Sequence, residues 1–106
     1  EIAAAEVERD SIRYKQVEYM SERIGQTYAG IISGLAKWGI FVQEKETLAE
    51  GLVRLIDLKD DFYIFDEKNY QMIGKSTGRR YRLGDPVRVR VARADLKEKQ
   101  IDFEFV

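Results

Sequence analysis

The sequence predicts an all-β domain, a five-stranded antiparallel barrel behind one N-terminal helix. Three observations carry this. First, Val87, Val89 and Val91 alternate with Arg88, Arg90 and Ala92, and Ile101, Phe103 and Phe105 alternate with Asp102 and Glu104. A period of two with one apolar face marks a half-buried strand. Second, Gly30, Gly34 and Gly39 interrupt the apolar, β-prone run Gly30–Val42. Glycine inside a strand signals a bend, a bulge or a close backbone approach, and a small closed barrel needs such corners. Third, five principal strand-like segments follow the helix, with no further helical repeat.

The elements follow in order. Residues 2–22 read as a helix: Ala3, Val7, Tyr14, Val17 and Met20 recur at helical spacing, as do Ala5, Ile12 and Tyr19. Two apolar stripes predict a helix that packs on more than this small domain, and Gly25 is a plausible C-cap. The first strand is expected over Gln26–Leu35 and the second over Trp38–Glu44, with Lys45-Glu46-Thr47 as a polar turn and Glu50–Leu55 as a short third strand. The connection from Ile56 to Asp85 is too long to be structureless in a compact domain. Phe62–Phe65 and Tyr70–Ile73 read as a β-hairpin inserted between strands 3 and 4. Leu83-Gly84-Asp85-Pro86 is a turn, with the proline opening the fourth strand. Asp95–Lys99 turns the chain into the last strand. Five strands in this succession fit a barrel of the OB type. The alternation establishes a sheet; closure is inferred from the glycines and the strand count.

Composition narrows the chemistry. The 106 residues fit one domain and contain no cysteine and no histidine. Disulfides and thiolate metal sites are thereby excluded, and the commonest general base and metal ligand is missing. No apolar run approaches the roughly 20 residues that span a bilayer, so no membrane partner is expected. No signal-peptide pattern is visible, and a cytoplasmic protein is the expectation. The chain begins at Glu1 in helical character, which predicts a piece of something longer. Net charge is −1, but residues 75–99 carry nine bases against three acids. Local clustering, rather than the sum, decides affinity for a phosphate backbone.

Gly74-Lys75-Ser76 has the ending of a phosphate-binding loop, but Asn69 stands where that motif needs its first glycine. Asp57, Asp60, Asp61, Asp66 and Glu67 match no calcium-loop spacing and read as a solvated acidic loop. The serines have no histidine to activate them, so no catalytic site is expected. Binding by stacking and charge remains. Unpaired bases stack on aromatic rings while a basic groove tracks the backbone. Trp38, Phe41 and Tyr28 fall in the first hairpin. By strict alternation Trp38 shares a face with Ile40 and Val42, and Phe41 points the other way. Both rings reach one surface only if a bulge or bend at Gly39 resets the phase; otherwise one or both are core. Arg88 and Arg90 either meet phosphates or pair across strands with Asp102 and Glu104. Arg79, Arg80 and Arg82 lack acids nearby in sequence and are freer to meet phosphates.

The succession Gly30, Trp38-Gly39-Ile40-Phe41-Val42, Glu50-Gly51-Leu52-Val53, and Leu83-Gly84-Asp85 with Val87, Val89 and Val91 resembles the S1 RNA-binding domain. The resemblance covers residues 25–106. It implies an OB-fold barrel that binds single-stranded RNA, with Trp38 and Phe41 as the aromatic pair. It further implies Arg54 at the basic or histidine position, Asp95 at the polar position ending the fourth strand, and Lys99 or Gln100 at the basic position of the last turn. The helix running into Tyr19-Met20, the insertion Asp61-Phe62-Tyr63 with Phe65-Asp66, the Met72-x-Gly74 step and the ending Lys99–Phe103 resemble the C-terminal region of the ribonuclease R family. That likeness implies a parent 3′→5′ exoribonuclease using a divalent metal, usually magnesium. Residues 1–24 would be the end of its preceding catalytic domain, and this fragment would hold no cofactor of its own. A protein-interaction barrel, or an S1 domain of another RNA-processing or translation protein, is the alternative.

Overall fold

The computed structural model describes residues 2–106, with side chains described from Ile12 onward. Helix α1 (Ile2–Ser21) precedes β1 (Thr27–Ala36), β2 (Gly39–Glu44), β3 (Glu50–Arg54) and a 3-10 turn (Leu55–Asp57). Then come β4 (Tyr63–Asp66), β5 (Gln71–Gly74), β6 (Arg80–Arg82), β7 (Pro86–Asp95) and β8 (Gln100–Phe105). Strands β1, β2, β3, β8 and β7 close into a barrel in that order, and β4, β5 and β6 form a separate sheet. The expected inserted hairpin therefore has a third strand, Arg80–Arg82, too short to announce itself by alternation. Pairing is antiparallel except where β3 meets β8 in parallel, with Leu52 opposite Asp102. That pair is the closure.

The core is built as the alternation predicts. Ile32, Leu35, Ile40, Val42, Val53, Val89, Val91, Ile101 and Phe103 are buried together. Gly51 lets Phe103 lie against β3, because a Cβ at 51 would stand 2.5 Å from the Phe103 ring. The expected bulge at Gly39 is not there: Gly39 stays in register with Ala36 on β1 and Arg54 on β3. The register shift falls on β1 between Ile32 and Gly34, opposite Val42 and Phe41, and a second falls on β7 between Val91 and Arg93. An extra residue at Ser33 lets Ile32 and Leu35 both face the interior.

Helix α1 rests on the barrel through Val17 and Met20, both fully buried and in contact with the core. Burying each contributes roughly 1.5–3 kcal/mol. Ile12, Tyr14 and Tyr19 remain exposed. Ala3, Ala5 and Val7, the remainder of the two stripes, have side chains outside the described residues. Glu44 is buried without a cation; its carboxylate accepts from the Glu46 N–H and from the Thr47 N–H and hydroxyl, which fixes the β2–β3 turn.

The side sheet is fastened to the barrel through Tyr81 and tied within itself through Asp61. Tyr81 stacks on Phe105 of β8 at 4.9 Å between centroids, nearly parallel, and also meets Tyr63 at 5.6 Å. The turn after β5 is an anion nest, but its anion is internal. The Asp61 carboxylate accepts from the Ser76 and Thr77 N–H groups, the Thr77 hydroxyl and the Phe62 N–H. The Ser76 and Thr77 amides thus cradle an anion, but it is the Asp61 carboxylate of the same chain, while the Gly74 and Lys75 N–H groups donate to the Arg79 and Phe62 carbonyls. A Cβ at Gly74 would stand 2.5 Å from Asp61 Oδ2.

Two outcomes follow. Gly51→Ala forces the immobile Phe103 ring to shift and should cost about 1–3 kcal/mol in urea unfolding; an unchanged midpoint would contradict this packing. The Thr77 N–H above all holds the Asp61 carboxyl well below the ordinary carboxylate range. That stabilisation is complete above the unfolded carboxyl's value, about 3.9, and is lost as pH falls through the folded one. Asp61→Asn should therefore lower Tm at neutral pH, with a gap from wild type that holds to about pH 5 and narrows below about pH 4. A gap already gone at pH 6 would overturn the assignment.

Candidate nucleic-acid interface

Trp38 and Phe41 share one outer groove. Strand β2 keeps strict alternation: Ile40 and Val42 are fully buried, and Phe41 lies half-buried on the outside. Trp38 escapes the alternation because it stands in the Lys37–Trp38 turn before β2. The residue is 64% exposed. The turn's backbone is held where the Leu55 N–H donates to the Trp38 carbonyl at 3.0 Å. The phase is thus reset by the turn, not by Gly39. The glycines do a different job. A Cβ at Gly34 would lie 3.3 Å from the Phe41 ring, and one at Gly39 would lie 2.6 Å from Leu52 and 2.7 Å from the Val53 carbonyl. Phe41 therefore sits close over β1, and Leu52 sits beside it, leaving a shallow surface rather than a ridge.

The groove encloses about 250 Å³ and is lined by Trp38, Phe41, Leu52, Arg13, Lys99 and Glu50 among others. Lys99 lies in the β7–β8 turn at φ 54°, in the left-handed region, and Gln100 begins β8. Arg13 was not foreseen. Its Nε donates to the Lys99 carbonyl at 3.0 Å, and its Nη1 donates to the Glu50 carbonyl at 2.7 Å. One guanidinium thus ties α1 to both walls of the groove, and burial lowers its pKa, partly offset by Glu50. The signal was available: Arg13, Val17 and Met20 fall at i, i+4 and i+7, one helix face. Glu50 also accepts from the Ser33 hydroxyl at 2.7 Å, linking the β1 bulge to β3.

Arg54 and Asp95 border a second, broader groove, also lined by Arg93 and Asp102. The two grooves adjoin, because Leu52 of the first stands opposite Asp102 of the second. Arg54 pairs with Asp57 at 3.3 Å. Asp95 accepts from the N–H groups of Lys97 and Glu98 and so shapes the turn that carries Lys99. Arg90 pairs with Glu104 at 2.7 Å, Arg93 with Asp102 at 3.1 Å, and Arg88 reaches Thr27 at 3.5 Å. The cross-strand alternative thus holds for Arg90.

Tyr28 stands apart from this surface, packed against the core with its hydroxyl donating to Gln26; burial first raises its pKa. Arg79, Arg80 and Arg82 lie at the side sheet, and none of the three lines the Trp38 groove. Arg79, expected to lack an acid, has Asp60 at 3.8 Å and lies over the Tyr81 ring at 5.9 Å. The chain separation of 19 residues hid that partner. Of the acids read as a loop, no three among the described residues form a metal-binding group.

A closed OB-type barrel with a half-buried ring on β2, an exposed one at the turn before it, and cations beside them has the parts that single-strand nucleic-acid binding uses. The chain belongs to the S1 RNA binding domain family, which its residues 21–105 match. It is 42% identical over 103 residues to ribonuclease R of Aquifex aeolicus, covering 97% of this chain and 15% of that protein. It is 35% identical over 103 residues to ribonuclease R of Escherichia coli, covering 97% and 13%. The structure superposes on Mycoplasma genitalium RNase R in complex with ribose methylated single-stranded RNA with a TM-score of 0.91 at 28% identity, over 99% of this chain and 16% of that one. The chain thus spans less than a fifth of the length of these relatives.

Arg13→Ala removes both clips and should cost about 1–2 kcal/mol of stability. It should also speed amide exchange in the β7–β8 turn more than in β4–β6. Uniform exchange across both sheets would show that the guanidinium is not the clip.

Proposed function

We propose that this chain binds single-stranded RNA through Trp38 and Phe41, as the S1 module of a ribonuclease R-like 3′→5′ exoribonuclease. The single observation that carries the reading is the groove itself. The one tryptophan of the chain, 64% exposed, shares it with Phe41, and Arg13 and Lys99 border the rings. Bases stack on the rings; Lys99 and Arg54 meet phosphates, and Asp95 holds the turn. Glu50 and Glu98 in the same groove offset its cations, so stacking, at roughly 1–3 kcal/mol per base, outweighs charge.

The remainder of the proposal concerns the longer protein, and the small share of the ribonuclease R relatives that this chain covers supports a catalytic domain outside it. Catalysis lies elsewhere in a longer protein, with magnesium bound there and no cofactor assigned to this chain. Helix α1 closes the preceding domain, in keeping with exposed Ile12, Tyr14 and Tyr19. The protein acts in the cytoplasm. No described helix is long and apolar enough to cross a membrane. A protein-binding barrel is the competing reading, favoured by the pairing of Arg54, Arg79, Arg90 and Arg93 with acids.

The double variant Trp38→Ala, Phe41→Ala should weaken oligouridylate binding at least tenfold by fluorescence anisotropy while the far-ultraviolet dichroism stays native. Unchanged affinity in the folded variant rules out the ring platform. With one or two phosphate contacts, log affinity should fall against log salt with a slope of about −0.7 to −1.4. A flat titration would remove Lys99 and Arg54 from the account.

A further inference from the structure

Trp38 has a second side. Besides the groove it shares with Phe41, it lines a cleft of about 430 Å³ between the 3-10 turn and β4, walled by Lys37, Ile56, Leu58 and Phe62. Two of these side chains are conspicuously bare: Phe62 is 70% exposed and Ile56 77%. Neighbouring Tyr63, by contrast, is buried, with its hydroxyl donating to Asp60 at 2.8 Å.

The bareness of Phe62 is not that of a loose loop. Its N–H donates to Asp61 Oδ1 at 2.7 Å, and its carbonyl accepts from the Lys75 N–H at 2.8 Å. Asp61 itself is bolted to the Ser76–Thr77 turn. The backbone under the ring is fixed on both sides while the ring faces water. A ring presented in this way, across a cleft from an exposed indole, is a stacking surface with little ordering left to do on binding.

We propose that this cleft takes a second unpaired nucleobase of the RNA strand, stacked on Phe62, next to the base held by Trp38 and Phe41. The inference rests on the RNA-binding reading above and extends the strand's path over the edge of the barrel toward the side sheet. Continuity favours a nucleic acid over a peptide: the indole is a wall of both depressions, so a strand crossing one is led into the other. The one acid lining the cleft is Asp61, whose carboxylate is already satisfied by four donors. Lys37 stands at the rim, exposed and 3.5 Å from exposed Glu67, and can turn to a phosphate.

The test is the affinity of the 106-residue chain for a ten-nucleotide oligouridylate, with variants Phe62→Ala, Phe62→Tyr and Phe41→Ala. Phe62→Ala should weaken binding about fivefold or more, and Phe62→Tyr, which keeps the ring, should hold wild-type affinity. A strand carrying 5-iodouridine should photocrosslink to Phe62 in the wild type. If Phe41→Ala weakens binding and Phe62→Ala does not, the cleft is not a nucleobase site while the RNA-binding reading stands. If no RNA binds the wild type, both fall together. If resonances of Phe62 and Ile56 respond to an apolar peptide and not to the oligonucleotide, the cleft belongs to a protein and the proposal is overturned.

Discussion

One packing constraint arranges the outer face of this barrel: the rings need flat ground. Phe41 lies close over position 34, where a Cβ would stand 3.3 Å from its ring, and Leu52 lies over position 39, where a Cβ would stand 2.6 Å from its side chain and 2.7 Å from the Val53 carbonyl. The extra residue at Ser33 makes this compatible with a filled interior, because it lets Ile32 and Leu35 both point inward on either side of the shift. A Cβ at 34 would ask the Phe41 ring to give by a few tenths of an ångström. The shared aromatic surface is thus a consequence of what is missing beneath it.

Much of the fold was legible. The valines of β7 and the Ile101-Phe103-Phe105 series declared their strands by alternation, and all but the half-exposed Val87 and Phe105 are buried. What was not legible is instructive. The bulge was expected at Gly39, because glycine is the local mark of a break; it fell at Ser33, where only the demand for two inward residues on the same strand places it. Glycine at 39 answers a neighbour across the sheet instead. A three-residue strand such as β6 is below the length at which periodicity speaks, and it exists because Tyr81 is held by Tyr63 and Phe105.

The groove that Trp38 and Phe41 share was partly legible. That Trp38 and Phe41 could meet on one surface turned on phase, and the Lys37–Trp38 turn, rather than Gly39, brings them into one groove. Arg13 was overlooked because charged residues on a helix are usually solvated; its place on the Val17–Met20 face was the clue. Partners far apart in sequence, such as Asp60 for Arg79, cannot be read from composition. Those pairings change the electrostatic picture. Three of the nine bases of residues 75–99, namely Arg79, Arg90 and Arg93, stand against acids within the chain, so the sequence overstates the charge free to meet a phosphate.

The central claim is that both rings touch the same strand. It is tested most directly by intermolecular nuclear Overhauser effects between an oligouridylate and this chain. The account predicts contacts from uracil H5 and H6 protons to the Trp38 indole and to the Phe41 ring, and none to Tyr28. Bound RNA whose base protons see neither ring, or see only the arginines of the side sheet, would contradict it.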